Sequence, residues 1–144
     1  MKKSRFGGLL RARIAQETVA KAAVARSRFA ANTALAEVHR QSASLDEAEK
    51  IHPSNAHAMV GALVSRQAMA AALSASVTAF RAAGAVVDES MVDFSLAARQ
   101  RKAVVKLVER HALARRQAAE AAERSELDDV VGSRYVIARE EESA

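Results

Sequence analysis

The sequence predicts an all-α fold, a long antiparallel two-stranded coiled-coil hairpin carrying a shorter middle helix. Three observations point there. Hydrophobic residues fill 50% of the 144 positions, yet Ala alone supplies 35 of them and aromatics only 3%, so the chain cannot build a thick globular core. One Pro, five Gly and few strand-favouring residues leave little to interrupt a helix, and Ala is the strongest helix former. Val24, Ala31, Val38 and Leu45 recur every seven residues, with Ala34, Leu35 and Ala48 between them, which is a heptad seam with small residues at its second core position.

The elements follow in order within a single domain, 1–144. The first long helix is expected over about residues 4–51. His52-Pro53 ends it, because proline disfavours helix in the residue before it and removes a donor. Ser54 or Asn55 then caps a middle helix over about 56–83, and Gly84 is a natural stop. Asp88 or Ser90 opens a second long helix over about 88–131. Its seam runs through Leu96, Val104, Leu107, His111, Ala114, Ala118, Ala121 and Ser125 at steps of three and four. That helix is expected to end near Gly132, with 132–144 a frayed tail. A helix of 45–50 residues reaches about 70 Å.

Charge is distributed in blocks. Residues 1–28 hold eight Lys or Arg and one acid, Glu17; residues 97–116 hold seven and one acid, Glu109. Residues 29–50 are net acidic, and residues 117–144 carry eight acids against Arg124, Arg134 and Arg139. Folding the first long helix antiparallel onto the last would set basic against acidic at both ends, selecting orientation more than adding stability. The basic block thus reads either as a solvated face paired within its own hairpin or as a partner-binding surface. The formal charge of +5 favours contact with anionic surfaces. No aromatic platform interleaves the cations, however, so only unspecific phosphate contact with nucleic acid is expected.

The middle helix is unusual in another way. Its only fixed charges are Arg66 and Arg81, and Leu63, Ala70, Leu73, Val77 and Phe80 form one stripe beside Met59 and Met69. A solvent-facing helix normally carries charge on its polar side. This one therefore packs at the hairpin tip or offers an adaptable apolar surface to a partner.

No constellation of catalytic residues is present, so no enzyme activity, cofactor or metal is expected. His39, His52, His57 and His111 lack ligand spacing, and no phosphate-binding or nucleophile-elbow glycine pattern occurs. The absence of Cys removes disulfides and thiolate zinc sites and fits the cytoplasm. No export signal is recognised, and the uncharged stretches Ser54–Ser65 and Gln67–Phe80 are read as too short to span a bilayer.

The chain ends carry a resemblance. Arg5-Phe6-Gly7-Gly8-Leu9-Leu10-Arg11-Ala12-Arg13 resembles the FxxLLxxR-type opening of the flagellar FliJ family. The basic run Arg101 to Arg110, followed by Glu126-Leu127-Asp128-Asp129, resembles that family's VKxLxxLKER run and terminal ExxxLDE. Together these cover about a third of the chain. The resemblance implies a non-enzymatic component of the flagellar type III export apparatus, cytoplasmic and peripheral at the inner face of the cell membrane. Such a protein is a coiled-coil stalk that engages the hexameric export ATPase ring and the membrane export gate, and escorts export chaperones. On this reading Phe6, Leu10, Arg13 and Leu127 contact the ring, and Leu73, Val77 and Phe80 contact the gate. Two rivals remain: a basic helical nucleoid- or membrane-associated protein, and a structural coiled coil or the stalk of a virulence-type secretion system.

Overall fold

The computed structural model describes residues 5–142, and side-chain surroundings from Phe6 to Val131. It contains two long helices packed together, α1 (Arg5–Lys50) and α2 (Ala56–Glu142), with no strand among the described residues. Contacts divide the chain into two units, one of Arg11–Arg101 and one of Met1–Leu10 with Lys102–Ala144.

The connector is residues 51–55, centred on Pro53. Asn55 rather than Ser54 supplies the N-cap of α2: its Oδ1 accepts from the Ala58 N–H at 2.8 Å, and its carbonyl accepts the first intrahelical bond from Met59 at 2.9 Å. At the other side of the turn, the guanidinium of Arg66 donates to the carbonyls of Ala48 (3.2 Å) and Ile51 (2.8 Å), with a longer contact to Glu49 at 3.5 Å. These carbonyls lie at the end of α1 or just past it, where intrahelical donors run out; Ala48 also accepts from the Ile51 N–H at 3.4 Å, and one cation from α2 helps close the end of α1.

The division into a middle helix 56–83 and a later helix 88–131 is replaced by one continuous α2. Gly84 is helical, no described glycine takes a positive φ, and a Cβ placed at Gly84 would meet nothing within 4 Å. A helical glycine costs roughly 1 kcal/mol relative to Ala, too little to end a helix whose neighbours Ala82, Ala83 and Ala85 all favour it. The expected end of α1 near residue 51 holds to within one residue, whereas the end near 131 moves. α1 stops at Lys50, and α2 passes Gly132 and runs to Glu142, carried by helix formers such as Ala138, Arg139 and Glu140. Of the expected boundaries, residue 4 and the last two tail positions, 143 and 144, lie outside the described residues.

Within the unit Arg11–Arg101, partners from Glu17 onward that rise along α1 fall along α2, and Arg13 pairs next to the first of them. Arg13 meets Gln100, Glu17 meets Arg101, Arg28 meets Met91, and Ala48 meets Arg66. The two segments therefore run in opposite directions. Covered positions step by three and four along each. On α1 they include Glu17, Ala20, Val24, Ser27, Ala31, Ala34, Val38, Gln41, Leu45 and Ala48. On α2 they include Ala62, Arg66, Met69, Leu73, Ser76, Phe80, Ala83, Val87, Ser90, Phe94 and Ala97. The alanines and serines in this seam bring the backbones close but remove little apolar area. Among the described residues only Val24 and Ser27 are buried, each 8% exposed. Ser27 satisfies its hydroxyl on the Val24 carbonyl at 3.0 Å.

The continuous helix also changes the charge map. Because the chain reverses at residues 51–55, α1 from Arg13 to Ala48 lies along α2 from Arg66 to Arg101, so the basic block 97–116 contributes residues up to Arg101, while 117–131 of the acidic block are exposed. Arg13 thus lies beside Gln100, and the single acid of the first 28 residues, Glu17, takes Arg101 as its partner. The expected seam through Leu96 and Leu107 moves with it. Both leucines are exposed, whereas Val104 of the expected seam is covered, as are Phe94, Ala97 and Val108.

In the second unit, Phe6, Leu10, Val104, Val105 and Val108 are half-buried. The Phe6 ring stands edge-on to His111 with centroids 5.3 Å apart. From Glu109 to Val131 each described residue is exposed.

Candidate partner-binding surfaces

Among the described residues no cluster of three His, Cys, Asp or Glu side chains is placed to hold a metal ion. What the chain offers is helix surface. Leu73, Val77 and Phe80 are half-buried, and Leu73 and Phe80 belong to the covered 3–4 series on α2. They face α1 more than solvent. The stripe that was expected to hold them together splits, because Leu63 and Ala70 are exposed.

The exposed apolar residues of the same region lie nearer the turn. Ile51, Met59, Val60, Leu63 and Val64 are each 57–64% exposed. Met59 with Leu63, and Val60 with Val64, are four residues apart and so form adjacent ridges on the first two turns of α2. Arg66 is not part of this surface, since its guanidinium is committed to the carbonyls that end α1. Sequence reasoning singled out the lack of charge here but centred the contact on Leu73, Val77 and Phe80, about four turns beyond these exposed residues. The usable signal was the distance from Pro53: residues in the first turns after a tight reversal have the least chain opposite them.

An open groove lies nearby on α1, floored by Ala43, Ala48, Ile51 and Met69 and edged by Arg40 and Glu47. Its charged rim is held by local pairs, Arg40 to Glu37 at 2.5 Å and Lys50 to Glu47 at 2.6 Å, all spaced three residues apart.

The residues expected at a ring contact divide. Phe6 and Leu10 are half-buried in the unit that also contains Leu127, which is 65% exposed. Arg13 belongs to the other unit, where its guanidinium donates to Gln16 (2.8 Å) and Gln100 (2.7 Å). Next to it, the Glu17 carboxylate accepts from Arg101, with both side chains at most about a third exposed. This polar layer fixes axial register, because sliding either helix by one residue strands two partly desolvated charges.

By length and composition α2 is able to cross a membrane: within Ala56–Val131 an 18-residue window reaches a mean hydropathy of 1.5. The uncharged stretches Ser54–Ser65 and Gln67–Phe80 read as too short because Arg66 and Arg81 bound them, whereas an 18-residue apolar window has to include a charged residue. With the helix unbroken, Ala85, Val86 and Val87 extend the run.

No protein-family model, no curated protein and no solved structure matches the chain.

Proposed function

We propose that the protein is a non-enzymatic coiled-coil component of a type III protein export apparatus, of the flagellar kind. In this reading α1 and the facing part of α2 form an antiparallel two-stranded coiled coil. It engages the export ATPase hexamer and the membrane export gate, and it escorts export chaperones. The observation that carries the reading is the strict 3–4 alternation of covered positions on two helices that run in opposite directions between end motifs resembling the FliJ family. The ring contact uses Phe6, Leu10, Arg13 and Leu127. Since Leu73, Val77 and Phe80 are partly covered by packing, the gate contact in this reading extends to their exposed neighbours Met59, Val60, Leu63 and Val64. The protein then works at the inner face of the cell membrane without spanning it.

The test is co-sedimentation of the purified chain with a purified export ATPase hexamer. Binding that is lost in Phe6→Ala/Arg13→Ala, with helicity retained, supports the assignment. Absence of binding by the wild-type chain overturns it.

A membrane-associated reading has its own observation, the apolar window within α2. Flotation with neutral phosphatidylcholine vesicles tests it. A peripheral export component stays in the soluble fraction, whereas a helix that inserts floats with lipid and resists extraction by high salt.

A further inference from the structure

The segment of α2 from Lys102 to Val131 has two oppositely charged halves on one continuous helix. Residues 102–116 contain five cations, Lys102, Lys106, Arg110, Arg115 and Arg116, against one acid, Glu109. Residues 117–131 contain five acids, Glu120, Glu123, Glu126, Asp128 and Asp129, against one cation, Arg124. The halves lie end to end along a single helix axis, so neither can reach the other within the chain. Within this stretch Glu120 pairs with Arg124, at 3.6 Å within one helical turn. That pair is well exposed on both sides and has little energetic weight.

A second feature coincides with this pattern. Leu113 (55% exposed) and Leu127 (65% exposed) are fourteen residues apart, four turns at 3.5 residues, so they share a face. Gln117 lies between them on that face, close to the boundary between the charged halves.

We propose that this segment pairs with the same segment of a second copy of the chain, running in the opposite direction about a two-fold axis at residues 116–117, the boundary between the charged halves. The symmetry follows from the sequence. An antiparallel pairing sets each basic half on the other copy's acidic half, twice over, as a self-complementary two-fold contact requires. A parallel pairing opposes like charges along the whole length. The overlap is about 45 Å for thirty residues at 1.5 Å each. Two leucines per copy supply the apolar contact, and alanines allow close approach, so the association is weak and governed by charge. The proposal stands independently of the export reading.

Sedimentation equilibrium of the full chain tests it. A monomer–dimer equilibrium is expected at low salt, with a dissociation constant that rises by about tenfold or more as sodium chloride goes from 50 to 500 mM, because screening weakens exposed charge pairs. Two charge-reversed chains sharpen the test: E120K/E123K/E126K, net basic in both halves, and R110E/R115E/R116E, net acidic in both halves. Each alone is expected to be monomeric, and a 1:1 mixture to restore the dimer. Because the chain has no native cysteine, orientation is read by disulfide formation. Gln117→Cys is expected to link two copies on oxidation and Val131→Cys is not. A monomer at every concentration and salt overturns the proposal. So does an assembly indifferent to both charge-reversed sets, or a Val131→Cys chain that links as readily as Gln117→Cys.

Discussion

The unit Arg11–Arg101 and the stretch from Glu109 to Val131 are built from similar material, Ala-rich helix with scattered Leu and Val, yet they differ in what lies alongside. In the first, each helix has a covered edge stepping by three and four, and Val24 and Ser27 are buried. In the second, the same 3–4 pattern of apolar positions exists in the sequence and no described residue is covered. A heptad pattern therefore states that a helix can be paired, and the position of the chain reversal decides which residues are. The reversal here lies at residues 51–55, so α1 is matched to the first half of α2 and the pattern beyond Val108 is left to solvent.

The contrast is broken most strongly by truncating the seam. Replacing Leu73, Val77 and Phe80 together by Ala removes half-covered side chains, and the triple variant should lose about 3–5 kcal/mol of unfolding free energy, read by urea denaturation. The matching pair in the exposed stretch, Leu113→Ala with Leu127→Ala, should shift stability by less than about 0.5 kcal/mol at high salt, where self-association is suppressed. Equal losses in the two variants would erase the distinction between the regions.

A smaller effect is expected at the turn. Arg66→Met keeps the side chain's apolar stem and deletes its bonds to the Ala48 and Ile51 carbonyls, and thermal unfolding should register a loss of about 1–2 kcal/mol. Glu17→Gln and Arg101→Gln, combined in a double-mutant cycle, should show a coupling of about 1 kcal/mol that shrinks with salt, since the pair is partly screened. The last variant has the opposite sign. Gly84→Ala should raise stability by about 0.5–1 kcal/mol, because the position is helical and has open space for a methyl group. A loss on that substitution would mean that Gly84 terminates a helix after all.

These sites show what could be read in the sequence and what could not. The all-helical class followed from Ala content and the lack of breakers. The α1 seam through Val24, Ala31, Val38 and Leu45 was legible because one large or β-branched residue marks nearly every second turn. The end of α1 was legible because proline removes a donor, a local effect that tertiary context rarely reverses. Gly84 misled for the opposite reason. Its helix penalty is small, and only the flanking alanines and the partner helix decide whether the chain pays it. That one boundary shifted part of the later α2 seam, while Val104 and the earlier Leu73 and Phe80 stayed covered. It moved the covered positions from Leu96 and Leu107 to Phe94 and Val108, and reversed the expected meeting of basic with acidic blocks. The role of Arg66 in closing α1 was not legible either. An isolated arginine in an apolar helix gives no sign of which carbonyls the fold will bring within its reach.

The central claim is that α2 is unbroken through Gly84, so that α1 packs against residues 56–101. The most direct test is a short bismaleimide cross-link in the double variant Arg28→Cys/Met91→Cys, two exposed positions whose native side chains meet at 3.6 Å. At high dilution the account predicts rapid intramolecular cross-linking of 28 to 91, and none when the second cysteine is moved to Ala119. Cross-linking at 119 in place of 91 would contradict it, because that pairing requires the chain to break near Gly84 and fold back a second time.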